Sequence, residues 1–189
     1  MTAFFMFISM DQRLTVIKTQ SDIPKHYWNS PIQKLCEYHN LAQSYDNYTA
    51  AQLIIGTCMD NRISLRIPDK FAFVLRSGGG SMYHHEFHIS YALSVGAIQH
   101  IALIGHTKCG MVAAVNQQTE FVTGMVSYGG WSKSDAEAYF KTAVLDNAIS
   151  HEIDFTLQQT QYVRNKFPAI TVAPLLYDVD NHLLHWIHE

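Results

Sequence analysis

The chain has neither the charge excess of a polyanion-binding protein nor the apolar runs of a membrane protein. Its 13 lysines and arginines against 16 acids give a formal net charge of −3, without a basic stripe, so no nucleic-acid partner is expected. No run approaches the roughly 18 apolar residues of a membrane span. The opening "MTAFFMFISM" has no basic start and only a short apolar run, which argues against a secretory signal. We therefore expect a cytoplasmic protein with no membrane partner.

Cysteine is also scarce, and its number is odd. The three cysteines are Cys36, Cys58 and Cys109. A disulfide framework is not expected from an odd count in a cytoplasmic chain, so metal binding and buried free thiols remain. The 189 residues, 48% hydrophobic and 15% charged, are enough for one soluble domain with its own core.

Short continuous apolar runs predict strands that are buried on both faces of a parallel sheet. They cover residues 51–57, 70–77 and 100–106. Between the last two, apolar residues at helical spacing end at Gly96, which predicts a helix. A right-handed crossover would then make strands 70–77 and 100–106 parallel neighbours. The predicted fold class is α/β, with a parallel-core sheet flanked by helices.

Capping and stop signals predict the remaining elements. Ser30 before Pro31 opens a helix that we expect to run to about Ser44. Ser134 with Glu137 resembles a capping box and opens a helical stretch, broken near Ile149, that ends before Pro168. The other predictions are a short helix at 111–118, a loop at 119–133, a strand at 169–179 and an antiparallel C-terminal edge strand at 183–189.

Chemically distinctive side chains follow two of the predicted strands. Cys58 comes just after one strand and His106 ends another, so both would face the crevice at the carboxyl ends of the sheet, about 5 Å apart if the strands are neighbours. Cys109 follows His106 by three positions, where a helix N-terminus would lower its pKa. Two thiolates and one imidazole suit zinc, and three protein ligands are typical of a catalytic zinc site.

Each of these residues also has a simpler explanation. A lone cysteine is usually a small core residue, and this is the reading we favour for Cys36. Asp60 and Arg62, two and four positions after Cys58, could be a surface ion pair. The glycines at 78–80 could form a plain turn or a phosphate cradle, although the Gly-x-Gly-x-x-Gly order and a Walker lysine are missing.

The stretches "CMDNR" and "GHTKCG" resemble the Cys-x-Asp-x-Arg and His-x-x-Cys motifs of the β-class carbonic anhydrases. The resemblance spans about residues 51–114, and "LLYDVDNHLLHWI" is similar to the closing strands of that family. It implies that Cys58, His106 and Cys109 bind zinc and that Asp60 and Arg62 form a catalytic dyad. It also implies a single domain over residues 1–189 with an N-terminal helical arm at about 1–50. The implied assembly is a homodimer or dimer of dimers, in which the early helix at about 31–44 packs on the partner.

The activity implied by this resemblance is the reversible hydration of CO2 to bicarbonate and a proton by a zinc-bound hydroxide. Asp60 would accept the hydroxide's proton in a hydrogen bond, and Arg62 would keep the carboxylate ionised. Amides of Gly78, Gly79 and Gly80 are candidates to contact substrate. The family more often has Arg-Asn-Ala-Gly where this chain has "RSGGG".

Three further possibilities remain open. A histidine at 84, 85 or 88 could relay the released proton, although these are more simply residues at a helix start. The same ligands would serve a carbonyl sulfide or carbon disulfide hydrolase. A non-catalytic relative that binds zinc or bicarbonate is the remaining alternative.

Overall fold

The structure is a computed structural model that describes residues 12–189, so "MTAFFMFISM" and the prediction made on it lie outside the described residues. In the described part, six strands form one sheet. They are Leu14–Val16 (β1), Leu53–Cys58 (β2), Ala72–Ser77 (β3), His100–His106 (β4), Thr171–Tyr177 (β5) and Leu184–Ile187 (β6).

The strand order is β1-β6-β5-β4-β2-β3. Strands β3, β2, β4 and β5 are parallel, and β6 is antiparallel to β5. The predicted fold class, an α/β fold with a parallel core and an antiparallel C-terminal strand, is therefore confirmed. One strand was not foreseen, because the three residues of β1 are too few to show a periodicity. It pairs antiparallel with the outer side of β6, with Leu14 opposite Ile187, so β6 is not the edge strand that the sequence predicted.

Five α-helices lie between or before the strands of the described region. They are Pro31–His39 (α1), Glu86–Ser94 (α2), Gln118–Ser127 (α3), Lys133–Asn147 (α4) and Glu152–Lys166 (α5). The predicted N-terminal arm, about residues 1–50, contains from residue 12 onwards strand β1, two single turns of 3-10 helix and α1. No helix of the described residues has both the length and the apolar character needed to cross a bilayer.

Helix α1 begins as predicted but ends early. The hydroxyl of Ser30 accepts a hydrogen bond from the amide of Gln33, and Pro31 occupies the first turn. The helix ends at His39 rather than near residue 44, because Asn40 binds another part of the chain. Its side-chain amide donates to the carbonyls of Ile17 and Leu184, each at 2.8 Å.

The region after residue 110 corrects three predictions. Single 3-10 turns at 110–112 and 114–116 replace the short helix expected at 111–118. Most of the predicted loop 119–133 is helix α3, which packs on α4 through Phe121 and Phe140, with ring centroids 5.1 Å apart. Helix α4 is capped by Ser132, two residues before the predicted cap Ser134, and the hydroxyl of Ser132 accepts from the amide of Asp135.

The break between α4 and α5 was predicted correctly. Ile149 is buried there, and its amide donates to the carbonyl of Met111 at 3.1 Å. Helix α5 then runs to Lys166, short of Pro168.

Strand β3 differs from its prediction in position and burial. It lies at the edge of the sheet, and β2 separates it from β4, so β3 and β4 are parallel but are not neighbours. The apolar run suggested a strand covered on both faces, yet Phe73 and Val74 are 48% and 42% exposed. The apolar side chains that marked the helical spacing here, Phe87 and Tyr91 in α2 and Val95 just after it, are exposed as well.

Candidate metal centre

The sheet places two chemically active side chains at one edge. Cys58 ends β2 and His106 ends β4, and these parallel strands are paired, with Thr57 opposite Ile104. Cys109 lies in the turn that follows β4. The sulfur atoms of Cys58 and Cys109 and a ring nitrogen of His106 all lie within 4.8 Å of one another, and the three residues are buried. Among residues 12–189, no other group of three or more His, Cys, Asp or Glu side chains meets this criterion.

The ring of His106 is oriented for metal binding. Its Nδ1 lies 3.0 Å from the carbonyl oxygen of Thr107, which can only accept, so Nδ1 carries the hydrogen. The buried Nε2 then has a free lone pair, and it has no hydrogen-bond partner among the described residues. An unpaired buried nitrogen is unfavourable unless it has a ligand. With two cysteine sulfurs beside it, this donor set fits zinc.

The two thiols are neighbours in the site. The adjacent Cys109 thiol favours the thiolate of Cys58 and lowers its pKa to about 4, and the pKa of Cys109 is raised in turn. The predicted lowering of the Cys109 pKa at a helix N-terminus is wrong, because the neighbouring Cys58 raises this pKa and no α-helix begins at Cys109. Cys109 precedes only a single 3-10 turn at 110–112. The pair therefore retains one proton, which a metal ion would displace on binding both sulfurs.

Asp60 and Arg62 form a bidentate pair beside the three ligands. Arg62 donates from Nε to Oδ1 at 2.9 Å and from Nη2 to Oδ2 at 2.7 Å, and its backbone amide also donates to Oδ1. These hydrogen bonds hold the pKa of Asp60 well below its usual range. The Oδ2 atom is 3.9 Å from Nε2 of His106. Asp60 is thus an ionised acceptor at the edge of the metal centre.

Arg62 also connects the two sequence motifs. Its Nη2 donates to the carbonyl oxygen of Lys108 at 2.9 Å. Lys108 has a left-handed backbone with φ of 57°, and its ammonium group pairs with Asp180 at 2.7 Å. The guanidinium therefore fixes Asp60 relative to the turn that carries Cys109.

The glycine loop lies against the end of β2. Gly79 and Gly80 have φ of 65° and 81°, which favours glycine. A Cβ on Gly80 would stand 3.5 Å from the amide nitrogen of Cys58, and one on Gly78 would stand 3.2 Å from the sulfur of Met111. Close backbone approach is therefore present at Gly78, Gly79 and Gly80, and substrate contact there stays a prediction.

None of the remaining candidates belongs to the group of three ligands. Cys36 is completely buried in α1, where burial raises its pKa to about 12, and it does not belong to the ligand group. His84 and His85 precede α2. His88 lines an apolar groove of about 350 Å³ with Phe73 and Tyr91.

Sequence reasoning missed two residues that support the site. Arg76 of β3 donates to the carbonyl oxygens of Cys58, Asp60 and Ile63 at 3.1 to 3.3 Å. A cationic residue inside an apolar strand was the available signal for Arg76. Glu152, the first residue of α5, accepts a hydrogen bond from the amide of Cys109 at 3.1 Å across 43 residues, and no sequence pattern indicated it.

A cavity of about 560 Å³ opens beside the site. Its inner wall is formed by Met59, Gly78 and Met111, which belong to the segments that carry or adjoin the ligands. Its outer wall is formed by α3 and α4, with Phe121 and Phe140 among the lining residues. A largely apolar chamber therefore lies between the helical pair α3–α4 and the segments of the metal centre.

The fold and site define a class: an α/β protein with a Cys-His-Cys centre and an acid–arginine pair at the carboxyl edge of its sheet. Residues 52–181, well over half of the chain, match the family model described as carbonic anhydrase. The chain therefore belongs to the carbonic anhydrase family, which confirms the family indicated by the two sequence motifs. No curated protein sequence matches the chain significantly.

Solved structures share the fold at low sequence identity. A β-carbonic anhydrase of Trichomonas vaginalis is similar over 78% of this chain and 90% of its own, with a TM-score of 0.58 and 21% identity. A carbonic anhydrase of Streptococcus mutans is similar over 88% and 100%, with a TM-score of 0.54 and 17% identity. A carbon disulfide hydrolase in its apo form is similar over 71% and 77%, with a TM-score of 0.54 and 20% identity.

Proposed function

We propose that this protein catalyses the reversible hydration of CO2 to bicarbonate and a proton, with zinc bound by Cys58, His106 and Cys109. The observation that supports this most strongly is the ionised Asp60 next to three buried donors within 4.8 Å of one another. A structural zinc normally has four protein ligands, whereas a catalytic zinc has three. Membership of the carbonic anhydrase family supports the same activity.

The chain's own residues perform the positioning and the proton handling. Zinc, when bound, supplies a Lewis acid that lowers the pKa of a water molecule and makes it a nucleophile near neutral pH. Asp60 would accept a hydrogen bond from the attacking oxygen and so orient a lone pair toward the carbon of CO2. Arg62 holds the carboxylate in this orientation and keeps it deprotonated. The proton released in each turnover leaves to solvent or buffer.

The α3–α4 cavity supports a small, neutral, apolar substrate. Its lining combines Met59, Met111, Phe121, Phe140 and Val144, and apolar side chains of this kind admit CO2 without a desolvation cost. Backbone amides of Gly78, Gly79 and Gly80 are proposed to contact the developing oxyanion, since the loop packs on the backbone of Cys58.

We further propose that two copies associate through the surface formed by β3 and α2, which we call the β3–α2 surface. Phe73 of β3, Phe87 and Tyr91 of α2, and Val95 just after α2 are exposed there at 48% to 74% of their area. Contiguous exposed apolar side chains of this size are typical of an interface, and an edge strand offers unpaired backbone groups as well.

A cytoplasmic location is supported by three free cysteines, which fit a reducing compartment.

Stopped-flow measurement of CO2 hydration by the zinc-loaded protein tests the proposed activity. We expect turnover well above buffer, and its loss in Cys58→Ser. Release of sulfide from carbonyl sulfide is measured in parallel, because the fold is shared with a carbon disulfide hydrolase. If the protein releases sulfide from carbonyl sulfide but hydrates CO2 no faster than buffer does, carbonyl sulfide and not CO2 is the substrate. Zinc binding with neither activity would leave a non-catalytic protein and contradict the proposal.

A further inference from the structure

We infer that Glu152 is a positioning residue that fixes the backbone of Cys109 for metal binding. This inference rests on the proposed zinc site and deepens it. The carboxylate of Glu152 accepts a hydrogen bond from the amide of Cys109 at 3.1 Å. Glu152 comes from α5, which begins 43 residues after Cys109, so this contact is purely tertiary.

The segment that carries Cys109 has an irregular backbone and needs such a contact. Strand β4 ends at His106, Lys108 is left-handed with φ of 57°, and Cys109 has extended angles before a single 3-10 turn. The amide of Cys109 lies outside the regular hydrogen bonds of β4. A buried amide without an acceptor is costly, so the acceptor supplied by Glu152 selects the backbone conformation in which the Cys109 sulfur faces the other ligands.

The first turn of α5 is itself firmly placed against β4. Gly105, directly before His106, permits this approach, because a Cβ there would stand 2.1 Å from Oγ1 of Thr156 and 3.4 Å from the carbonyl oxygen of Glu152. Thr156 in turn donates to that carbonyl at 2.8 Å. The same helical turn therefore contacts the strand that ends in His106 and holds the amide of Cys109. Two of the three ligands are positioned from one rigid element.

The role assigned to Glu152 is that of an acceptor at a defined distance, not that of a charge. The negative carboxylate of Glu152 disfavours the Cys109 thiolate, so we assign its benefit to the hydrogen bond rather than to its charge. Glutamine keeps an acceptor oxygen at the same distance without the charge. Aspartate keeps the charge but is one methylene too short. Alanine removes both.

The experiment compares Glu152→Gln, Glu152→Asp and Glu152→Ala with the wild type, and Glu137→Ala is the control. Glu137 is an exposed helical glutamate on α4 that pairs only weakly with Lys133, at 3.8 Å. Two quantities are measured: zinc affinity, by competition with a chromophoric chelator, and hydrogen exchange of the peptide covering residues 107–113 in zinc-free protein. Circular dichroism and a thermal melt report whether each variant is folded.

We expect Glu152→Ala and Glu152→Asp to bind zinc about 10 to 100 times more weakly, as is typical when a partner of a metal ligand is lost. Exchange in residues 107–113 should be faster in these two variants. Glu152→Gln should stay within about threefold of the wild type, and Glu137→Ala should be unchanged. If Glu152→Ala does not fold, the comparison of Glu152→Gln with Glu152→Asp still tests the inference.

Wild-type affinity and exchange in both Glu152→Ala and Glu152→Asp would overturn the inference, as would a loss in Glu152→Gln as large as in Glu152→Asp. Failure of the proposed function is a separate result. It would appear as a wild-type protein that takes up zinc but does not hydrate CO2, or that takes up no zinc. In the latter case, hydrogen exchange in the zinc-free variants still decides the role of Glu152.

Discussion

Arg62 binds both carboxylate oxygens of Asp60, at 2.9 and 2.7 Å, and so holds an ionised acid at the edge of the metal centre. The backbone carbonyl oxygen of Lys108 accepts a further hydrogen bond from the same guanidinium. The pair is not an isolated surface ion pair, because Asp60 is only 15% exposed and lies 3.9 Å from the His106 ring.

Replacing Arg62 by Ala should lower kcat/KM for CO2 hydration by about 100-fold or more, the scale of a mispositioned acid–base group. The pKa of Asp60 would rise toward about 3.9, which leaves the carboxylate ionised at pH 7, so lost orientation is the cause. Arg62→Lys should recover little, because an ammonium cannot bind both oxygens in this way. Stopped-flow assays with zinc determination check this, and Lys133→Ala is the control. An active Arg62→Ala enzyme would remove the pair from the mechanism.

Protonation of His39 should make the folded protein less stable in mild acid. Its Nδ1 accepts from the amide of Arg66 and its Nε2 donates to the carbonyl of His182, so the ring must be neutral. Burial is the main cause that lowers its pKa. Because the folded-state pKa is depressed, this stabilisation is complete above the unfolded value of about 6.5 and is lost as the pH falls below it.

Urea denaturation at pH 7.5 and pH 5 measures this effect. The free energy of unfolding should fall with pH by up to about 1.4 kcal/mol per pH unit from this one group. His39→Gln should reduce the fall, since glutamine offers a donor and an acceptor without titrating. The exposed His84→Gln is the matched control and should behave as the wild type. Identical pH profiles for wild type and His39→Gln would contradict the assignment.

Gly105 should not tolerate a side chain. A Cβ would lie 2.1 Å from Oγ1 of the buried Thr156, which cannot move away because it donates to the Glu152 carbonyl. Overpacking of this kind costs about 1–3 kcal/mol. Gly124→Ala in α3 is the matched control, with its nearest neighbour 4.0 Å away, and it should stabilise the protein by about 0.5–1 kcal/mol. Denaturant unfolding of both variants gives the comparison, and equal effects would be inconsistent with close packing of α5 on β4.

The β3–α2 surface should mediate self-association. Phe87→Glu, at a side chain that is 74% exposed, should convert a dimer into monomers without unfolding it, because a charge there would be buried unpaired in the interface. Leu145→Glu, at an equally exposed apolar residue of α4, should leave the dimer intact. Sedimentation velocity distinguishes the two. A wild-type monomer, or a dimer that survives Phe87→Glu, would exclude this interface.

Much of the fold and of the site could be predicted because the relevant signals are local. Cys58 and His106 each end an apolar run, and the carboxyl ends of parallel strands share one edge, so a separation of 48 positions did not hide their proximity. The N-cap of α1 and the break at Ile149 were likewise local.

The remaining features depend on tertiary contacts. The exposure of β3 follows from strand order, which an apolar run does not encode. Helix α3 was hidden because its helical pattern is weak and contains Gly124, and only the packing of Phe121 on Phe140 reveals it. Glu152 reaches Cys109 from another helix. Residues that support a site from a distant helix or strand do not form a sequence motif with the ligands, so the sequence alone does not reveal them.

The central claim is that Cys58, His106 and Cys109 bind zinc as its three protein ligands. X-ray absorption at the zinc edge of the purified, zinc-loaded protein tests it most directly. The account predicts one zinc per chain with two sulfurs at about 2.3 Å and two lighter atoms at about 2.0–2.1 Å. A zinc coordinated by nitrogen and oxygen alone, or a protein that retains no zinc, would contradict it.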